Sequence, residues 1–526
     1  MEKRKVIMRY SLLLVTVVML LGCGETDRAD MLIKNGKIID GTGSESYLAD
    51  VAIRGDSILD IGTSLSEKYS YDNEINADGF IVSPGFIDPH THALSDLLSD
   101  DKHSNLNYLT QGVTTVFVGN DGDGPYRINR YAEDLTDSIG TNCAFLIGHG
   151  TVREAVMGMK NESPTQGELN QMKALVKLGM EEGAFGLSSG LFYAPGSFST
   201  TEEVIALAEE VAKFGGIYDT HLRDESTYSI GLLKAVEEAI RIGEEANVAV
   251  NLAHIKALGV DVWGMSDEII EMVEDANDRG IRTTADQYPW SASGTHLENA
   301  LLNKWVMADG EEAYMNRLND PALAKQIRSE IKENLRKRGG AESILITADS
   351  KDESLIGSNL QEIADSTNEY PVDVAFDIIR NGGCRIASFN MNQSDIENFM
   401  VQPWVMTSSD GTNGHPRKYA SFPQKYQKYV VERELLTTEK FVHRSTGLTA
   451  QSMGISKRGT LKVGNKADII MWKPDGFKSK ADFQNPTRYS EGIHYLIING
   501  EIVIQDESYN KKLAGQVLLK QSKNIE

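Results

Sequence analysis

The stretch GFIDPHTH, residues 85 to 92, ends an apolar run with two imidazoles two positions apart. Alternate residues of a strand share a face, so His90 and His92 point the same way. A His-x-His pair of that kind chelates one ion, and imidazole nitrogen suits Zn(II) and related borderline metals. Two separately hydrogen-bonded histidines also fit the dipeptide, so the other polar residues must decide. They recur at the ends of later strand-like runs: Asp121 in VGNDGDG, His149 in IGHG and His221 in DTHLRDES. His254 and Lys256 follow in AHIK, Asp286 and Tyr288 in DQYPW, and Asp410 in SSDG. Any one of these alone is an ordinary structural residue. Their repeated placement at the same end of successive strands favours one metal centre with open coordination positions, built from four histidines and two aspartates.

Such convergence needs a fold that gathers strand ends around a point. Residues 114–119, 143–150, 184–190, 216–222, 247–256, 281–290 and 404–411 read as strands, and with the run before His90 there are eight. Helical patterns such as TEEVIALAEEVAKFG lie between several of them. Strands alternating with helices imply parallel βα units, and eight imply a TIM-type barrel whose C-terminal strand ends surround the site. The charged stretch EEAYMNRLNDPALAKQIRSEIKENLRKRGG predicts a small helical insertion over the barrel mouth between strands seven and eight, about residues 291–345. Outside the barrel, residues 31–84 and 455–526 carry short alternating strands broken by Gly, Asp and Asn, which predicts one composite β-sandwich made from both chain ends. The barrel then occupies residues 85–454. The fold class is therefore α/β, a TIM-type (β/α)8 barrel beside a composite sandwich.

The chain has 526 residues, 40% hydrophobic and 25% charged, with a formal charge of −23 spread along its length. That balance suits a globular acidic enzyme and argues against a nucleic-acid partner. The first residues differ. A basic segment, MEKRKVIMRY, precedes the apolar SLLLVTVVML and then Leu20-Leu21-Gly22-Cys23. The pattern predicts a secretory signal over residues 1–22, and its ending resembles a bacterial lipoprotein cleavage box, with Cys23 lipidated and residues 23–30 as tether. The expectation is an exported, outer-membrane lipoprotein facing periplasm or cell surface, touching membrane only through its N-terminal lipid. Cys143 and Cys384 both lie in strand-like stretches and are expected as buried thiols.

Taken together, GFIDPHTH, GVTTVFVGN, LIGHGTVREAVMG, GLSSGLFYAPGSFSTTEE, THLRDES, AHIKA, DQYPW, SSDGTNGHPRKYASFP and RGTLKVGNKADI resemble the amidohydrolase superfamily. Within it they resemble the N-acyl-D-amino-acid deacylase (D-aminoacylase) family, in that family's order and over nearly the whole chain. The resemblance implies that the barrel is distorted, and that the chain is a zinc-dependent hydrolase with one or two Zn(II) ions. His90, His92, His221 and His254 match its metal ligands. Asp410 matches its catalytic aspartate, the general base and then acid for a metal-activated water. Tyr193, Lys256, Tyr288 and Arg417 match the set that holds the substrate carboxylate, although the short loop from Asp410 to Arg417 leaves the place of Arg417 open. One departure stands out: Asp121 occupies the position where such deacylases usually carry cysteine. Strand four, AFGLSSG, has no lysine to serve as a carbamylated bridge, so Asp121 is itself the candidate bridging ligand.

The expected reaction is hydrolysis of an N-acyl-D-amino acid to a D-amino acid and a carboxylate. A dipeptidase acting on peptides with a C-terminal D-residue uses the same parts. A cyclic amidase and a catalytically silent binding protein rank behind both. The partner expected is a small molecule.

Overall fold

A computed structural model describes residues 27–521. Its centre is a parallel barrel of eight strands: Phe86–Asp88, Val113–Val118, Asn142–Gly148, Gly186–Gly190, Ile217–His221, Ala249–Leu252, Thr283–Gln287 and Val405–Thr407. Most of these runs are apolar or small on both faces, as strands covered inside and out must be; every residue of VTTVFV and NCAFLIG is buried. Helices return the chain along the outside. Gln166–Glu181 starts on a capping box between Thr165 and Glu168, and Thr201–Ala212 on the Thr200 hydroxyl, so each crossover has a defined entry. Val204, Leu207 and Val211 of the second helix are buried against the barrel.

The barrel closes at a seam between its first and last strands. There Thr91 and Gly411 form a parallel bridge, and the Asp410 N–H donates to the His90 carbonyl at 2.9 Å. The Ser409 N–H donates to Asp88 Oδ1 at 3.1 Å. This seam brings His90 beside Asp410, although 320 positions separate them in the sequence.

Both chain ends build one nine-stranded sheet. Its N-terminal half holds Asp27–Ile38, Tyr47–Arg54, Ser57–Gly62, Tyr69–Asn76 and Ile81–Pro84, and its C-terminal half begins with Ile469–Trp472 and Ile493–Ile498. The halves join where Ile81–Pro84 pairs antiparallel with Ile469–Trp472. The last described stretch leaves that sheet: Val517–Leu518 pairs with Cys143 and Ala144 on the barrel.

Between strands seven and eight the insertion is larger and more mixed than its charged helical sequence suggested. Helices Glu311–Asn319, Pro321–Lys337, Leu360–Thr367 and Pro371–Arg380 pack around a three-stranded antiparallel sheet of Ser293–His296, Ile344–Ala348 and Arg385–Ser388. It reaches past residue 345 to Ser388 because Arg385–Ser388 is the middle strand that holds the other two together. A separate apolar core including Ile331, Ile346, Phe376 and Ile386 supports it. Cys143 and Cys384 are buried free thiols. Among the described residues no helix is long and apolar enough to cross a membrane; Cys23 and the leader lie outside the described residues.

Candidate metal centre

The strand ends deliver the expected donors to one place at the floor of a cavity of about 400 Å³. His90 and His92 follow the first strand, Asp121 the second, His221 ends the fifth, His254 follows the sixth, and Asp410 follows the eighth. Three of these residues hold left-handed backbone, with φ of 57° at Asp121, 38° at His254 and 49° at Asp410. Non-glycine residues rarely adopt that region, and a cluster of them at one site marks geometry fixed against local preference. Glycine makes the approach of the Asp121 loop possible: a Cβ at Gly190 would lie 2.1 Å from the Asp121 carbonyl oxygen.

Two donor groups share Asp121. On one side Asp121 Oδ1 is 3.4 Å from His90 Nε2, and Asp121 Oδ2 is 3.6 Å from His92 Nε2. Asp410 Oδ1 completes this group, 3.3 Å from His92 Nε2 and 3.8 Å from His90 Nε2. On the other side Asp121 Oδ1 is 3.3 Å from His254 Nε2 and 3.8 Å from His221 Nδ1. The donors fit divalent metal. His90 Nε2 and Asp121 Oδ1, which face each other across 3.4 Å, are fully buried without a hydrogen-bond partner. Native structures rarely leave buried polar atoms so, and an ion between them satisfies the group. Nitrogen and carboxylate oxygen suit zinc and harder ions alike, whereas a thiolate bridge would have favoured softer ones.

Electrostatics ties the group together. Burial resists protonation of His90, but the carboxylates of Asp121 and Asp410 outweigh it and raise the imidazole to about 10. His254 is raised to about 9, against burial and Lys256, by Asp121 and Glu225. Burial dominates at His221 and brings it down to about 3. Asp121 is held well below the usual carboxylate range, its burial overcome by His90 and His254. These neighbours are themselves anchored. Asp286 accepts from the His254 N–H at 3.0 Å and from Asn251 Nδ2 at 2.7 Å, and Asn251 also donates to Asp219 at 2.7 Å.

The four residues matched to a substrate carboxylate all line the cavity. Arg417, whose place the short loop had left open, stays in the site: it is 1% exposed, with Nη1 2.7 Å from Asp410 Oδ2. Lys256 Nζ lies 2.5 Å from Glu225 Oε1. Burial pushes the phenols of Tyr193 and Tyr288 well above their ordinary value, so both are neutral donors. His149 stands apart from the centre, bonded to Glu203 at 2.9 Å beside Arg153. Glu225 was missed by sequence reasoning. It touches Lys256 and lies 3.2 Å from His254 Nδ1 and 3.6 Å from His221 Nε2. Its place in THLRDES, four residues beyond His221, was the available signal.

Comparison with known proteins agrees with this geometry. Residues 81–503 match the sequence model of the amidohydrolase family. A D-aminoacylase of Alcaligenes xylosoxydans xylosoxydans is 31% identical over 517 residues, 93% of this chain and 97% of that protein. An N-acyl-D-aspartate deacylase of the same organism is 30% identical over 520 residues, 93% of this chain and 95% of its own. The crystal structure of N-acyl-D-glutamate deacylase from Bordetella bronchiseptica, complexed with zinc and a phosphonate inhibitor, superposes with a TM-score of 0.77 at 28% identity. It covers 94% of this chain and 100% of that one.

Proposed function

From the premise that the chain belongs to the amidohydrolase family, we propose that it is an N-acyl-D-amino-acid deacylase. The observation that carries this reading is the Asp410 carboxylate, set between the histidine cluster on one oxygen and Arg417 on the other. His90, His92, Asp121, His221 and His254 would hold Zn(II), Asp121 being the residue common to both donor groups. When bound, zinc polarises the scissile carbonyl and makes the attacking water more acidic.

The protein's own groups do the rest. Asp410 is a base at every physiological pH: burial resists its ionisation, but the Arg417 charge and the His92 contact hold it far below the usual carboxylate range. Oδ1, which faces His92, takes the proton of the attacking water, and the same carboxyl then gives it to the departing amine nitrogen. Water and amide thus become carboxylic acid and D-amino acid, with Asp410 restored. The substrate carboxylate is received by Arg417 and Lys256 with the phenol O–H groups of Tyr193 and Tyr288.

Metal-loaded protein is to be assayed for amine release from paired N-acetyl-D- and N-acetyl-L-amino acids and from dipeptides ending in D- or L-residues. The expected result is release from the D-acetyl set. Cleavage of D-ended dipeptides alone would make the protein a dipeptidase instead. The sequence Leu20-Leu21-Gly22-Cys23 supports export with lipid anchoring at Cys23. Acyl labelling of the cell-expressed chain, abolished by Cys23→Ala, tests the anchor.

A further inference from the structure

The insertion closes one wall of the catalytic cavity with a charge that no protein carboxylate neutralises. Arg338, just past helix Pro321–Lys337, lines that cavity and is 2% exposed. Its contacts are neutral. Nε donates to the Ala300 carbonyl at 3.3 Å, and Nη1 donates to the Asn390 amide oxygen at 3.1 Å in the amide orientation that satisfies both ends. The guanidinium carbon lies 5.6 Å from the centre of the Tyr228 ring. Every other Lys or Arg lining the cavity has an acid partner: Lys256 has Glu225, Arg385 has Asp349, Lys418 has Asp96, and Arg417 has Asp410. Arg338 has none among the described residues. Lys304 stands nearby, 3.8 Å from the Phe192 ring centre, and its Nζ donates only to the Asn299 carbonyl. Burial, reinforced by the Arg338 charge, lowers Lys304 to about 7. Neither basic group has a carboxylate within ion-pair distance among the described residues, although Glu298 and Asp224 act on Lys304 from further off.

A guanidinium does not shed its proton, and burying it unpaired is costly unless something else supplies the anion. We propose that Arg338 receives a second carboxylate of the substrate, so that the preferred N-acyl-D-amino acid is a dianion. This rests on the deacylase reading and adds to it. Tyr228 lies 5.6 Å from Phe192, and Phe192 lies 5.7 Å from His221, ring centre to ring centre. Arg338 is thus linked to the metal donors through the Tyr228 and Phe192 rings, and lines the same cavity as they do. The second carboxylate has two possible sources, an acidic D-side chain or a dicarboxylic acyl group.

The test compares kcat/KM for matched pairs in metal-loaded wild type, Arg338→Gln and Arg338→Lys. N-acetyl-D-glutamate against N-acetyl-D-glutamine reads the side-chain source; N-succinyl-D-leucine against N-acetyl-D-leucine reads the acyl source. The ratio within each variant is the readout, so a general loss of activity cancels. In wild type one dianion should exceed its monoanionic match by roughly 10- to 100-fold, the effect of one charged hydrogen-bonded contact. That ratio should fall towards one in Arg338→Gln and lie between in Arg338→Lys. Equal rates for both pairs in wild type, or a ratio retained in a folded Arg338→Gln, would overturn the proposal. If wild type hydrolyses no N-acyl-D-amino acid, the deacylase reading fails. Calorimetric binding of N-acetyl-D-glutamate and N-acetyl-D-glutamine then decides for Arg338: tighter dianion binding, weakened in Arg338→Lys, upholds its role, and equal binding rejects it.

Discussion

Asp121 and Asp410 divide the work of the two shared carboxylates. Asp121 reaches both donor groups, so in the proposed reaction it would govern how many ions stay bound; Asp410 touches one group and Arg417, so there it would govern proton transfer. Asp121→Ala should lower the dialysis-resistant metal content from two ions per chain to one or fewer, measured by elemental analysis. Asp410→Asn should keep the metal and lose about 10²- to 10⁴-fold in kcat, the range expected when a positioned acid–base group is removed. Unchanged turnover in Asp410→Asn would remove that residue from proton transfer. The donors were legible in the sequence because each follows a strand, where position in the fold can be read from the run preceding it. Glu225 was harder: its acid role is defined by Lys256, which lies 31 positions further along the chain. Arg338 had no signal at all, since nothing in LRKRGG tells which of its basic residues turns inward.

Among the elements, the helix Thr201–Ala212 is tied to the helix His149–Met157 by a buried cluster. Glu203 accepts from Arg153 and contacts His149, and all three side chains are essentially buried. Burial opposes ionisation of Glu203, but His149 and Arg153 outweigh it and depress its pKa. A depressed folded value means stability that is fully present above the unfolded glutamate value of about 4.3 and is lost as pH falls through the folded one. Glu203→Gln should therefore flatten part of the acid limb of the stability profile. Glu203→Ala should cost about 3–5 kcal/mol in denaturant unfolding, because it strands the Arg153 guanidinium. A loss below 1 kcal/mol would show that the cluster is not a tie. The barrel strands were legible because buried parallel strands are continuous apolar runs bounded by glycine and polar residues. The small sheet of the insertion was not, since its three strands are four or five residues long and far apart in the chain.

Across the whole molecule, the centre joins six residues from five barrel strand ends, and metal held by five of them would clamp four of those ends together. A ligand that binds only the folded state raises its stability by mass action. Removing metal with a chelator should lower the thermal midpoint by several degrees, by the usual conversion for a few kcal/mol, and adding Zn(II) back should restore it. An unchanged midpoint with activity lost would mean that the ions serve chemistry alone. The composite sheet was legible from two separated blocks of alternating strands. The contact of Val517–Leu518 with the barrel was not, because a two-residue strand leaves no periodic trace.

The barrel seam has a consequence for how the molecule comes into being. His90 meets Asp410 only after Val405–Thr407 has been made, and Ile81–Pro84 finds its partner only when Ile469–Trp472 exists. A growing nascent chain that stops short of these segments holds early histidines without a finished centre. The centre is thus complete only when synthesis is nearly complete, and a chain cut short of residue 405 would lack it.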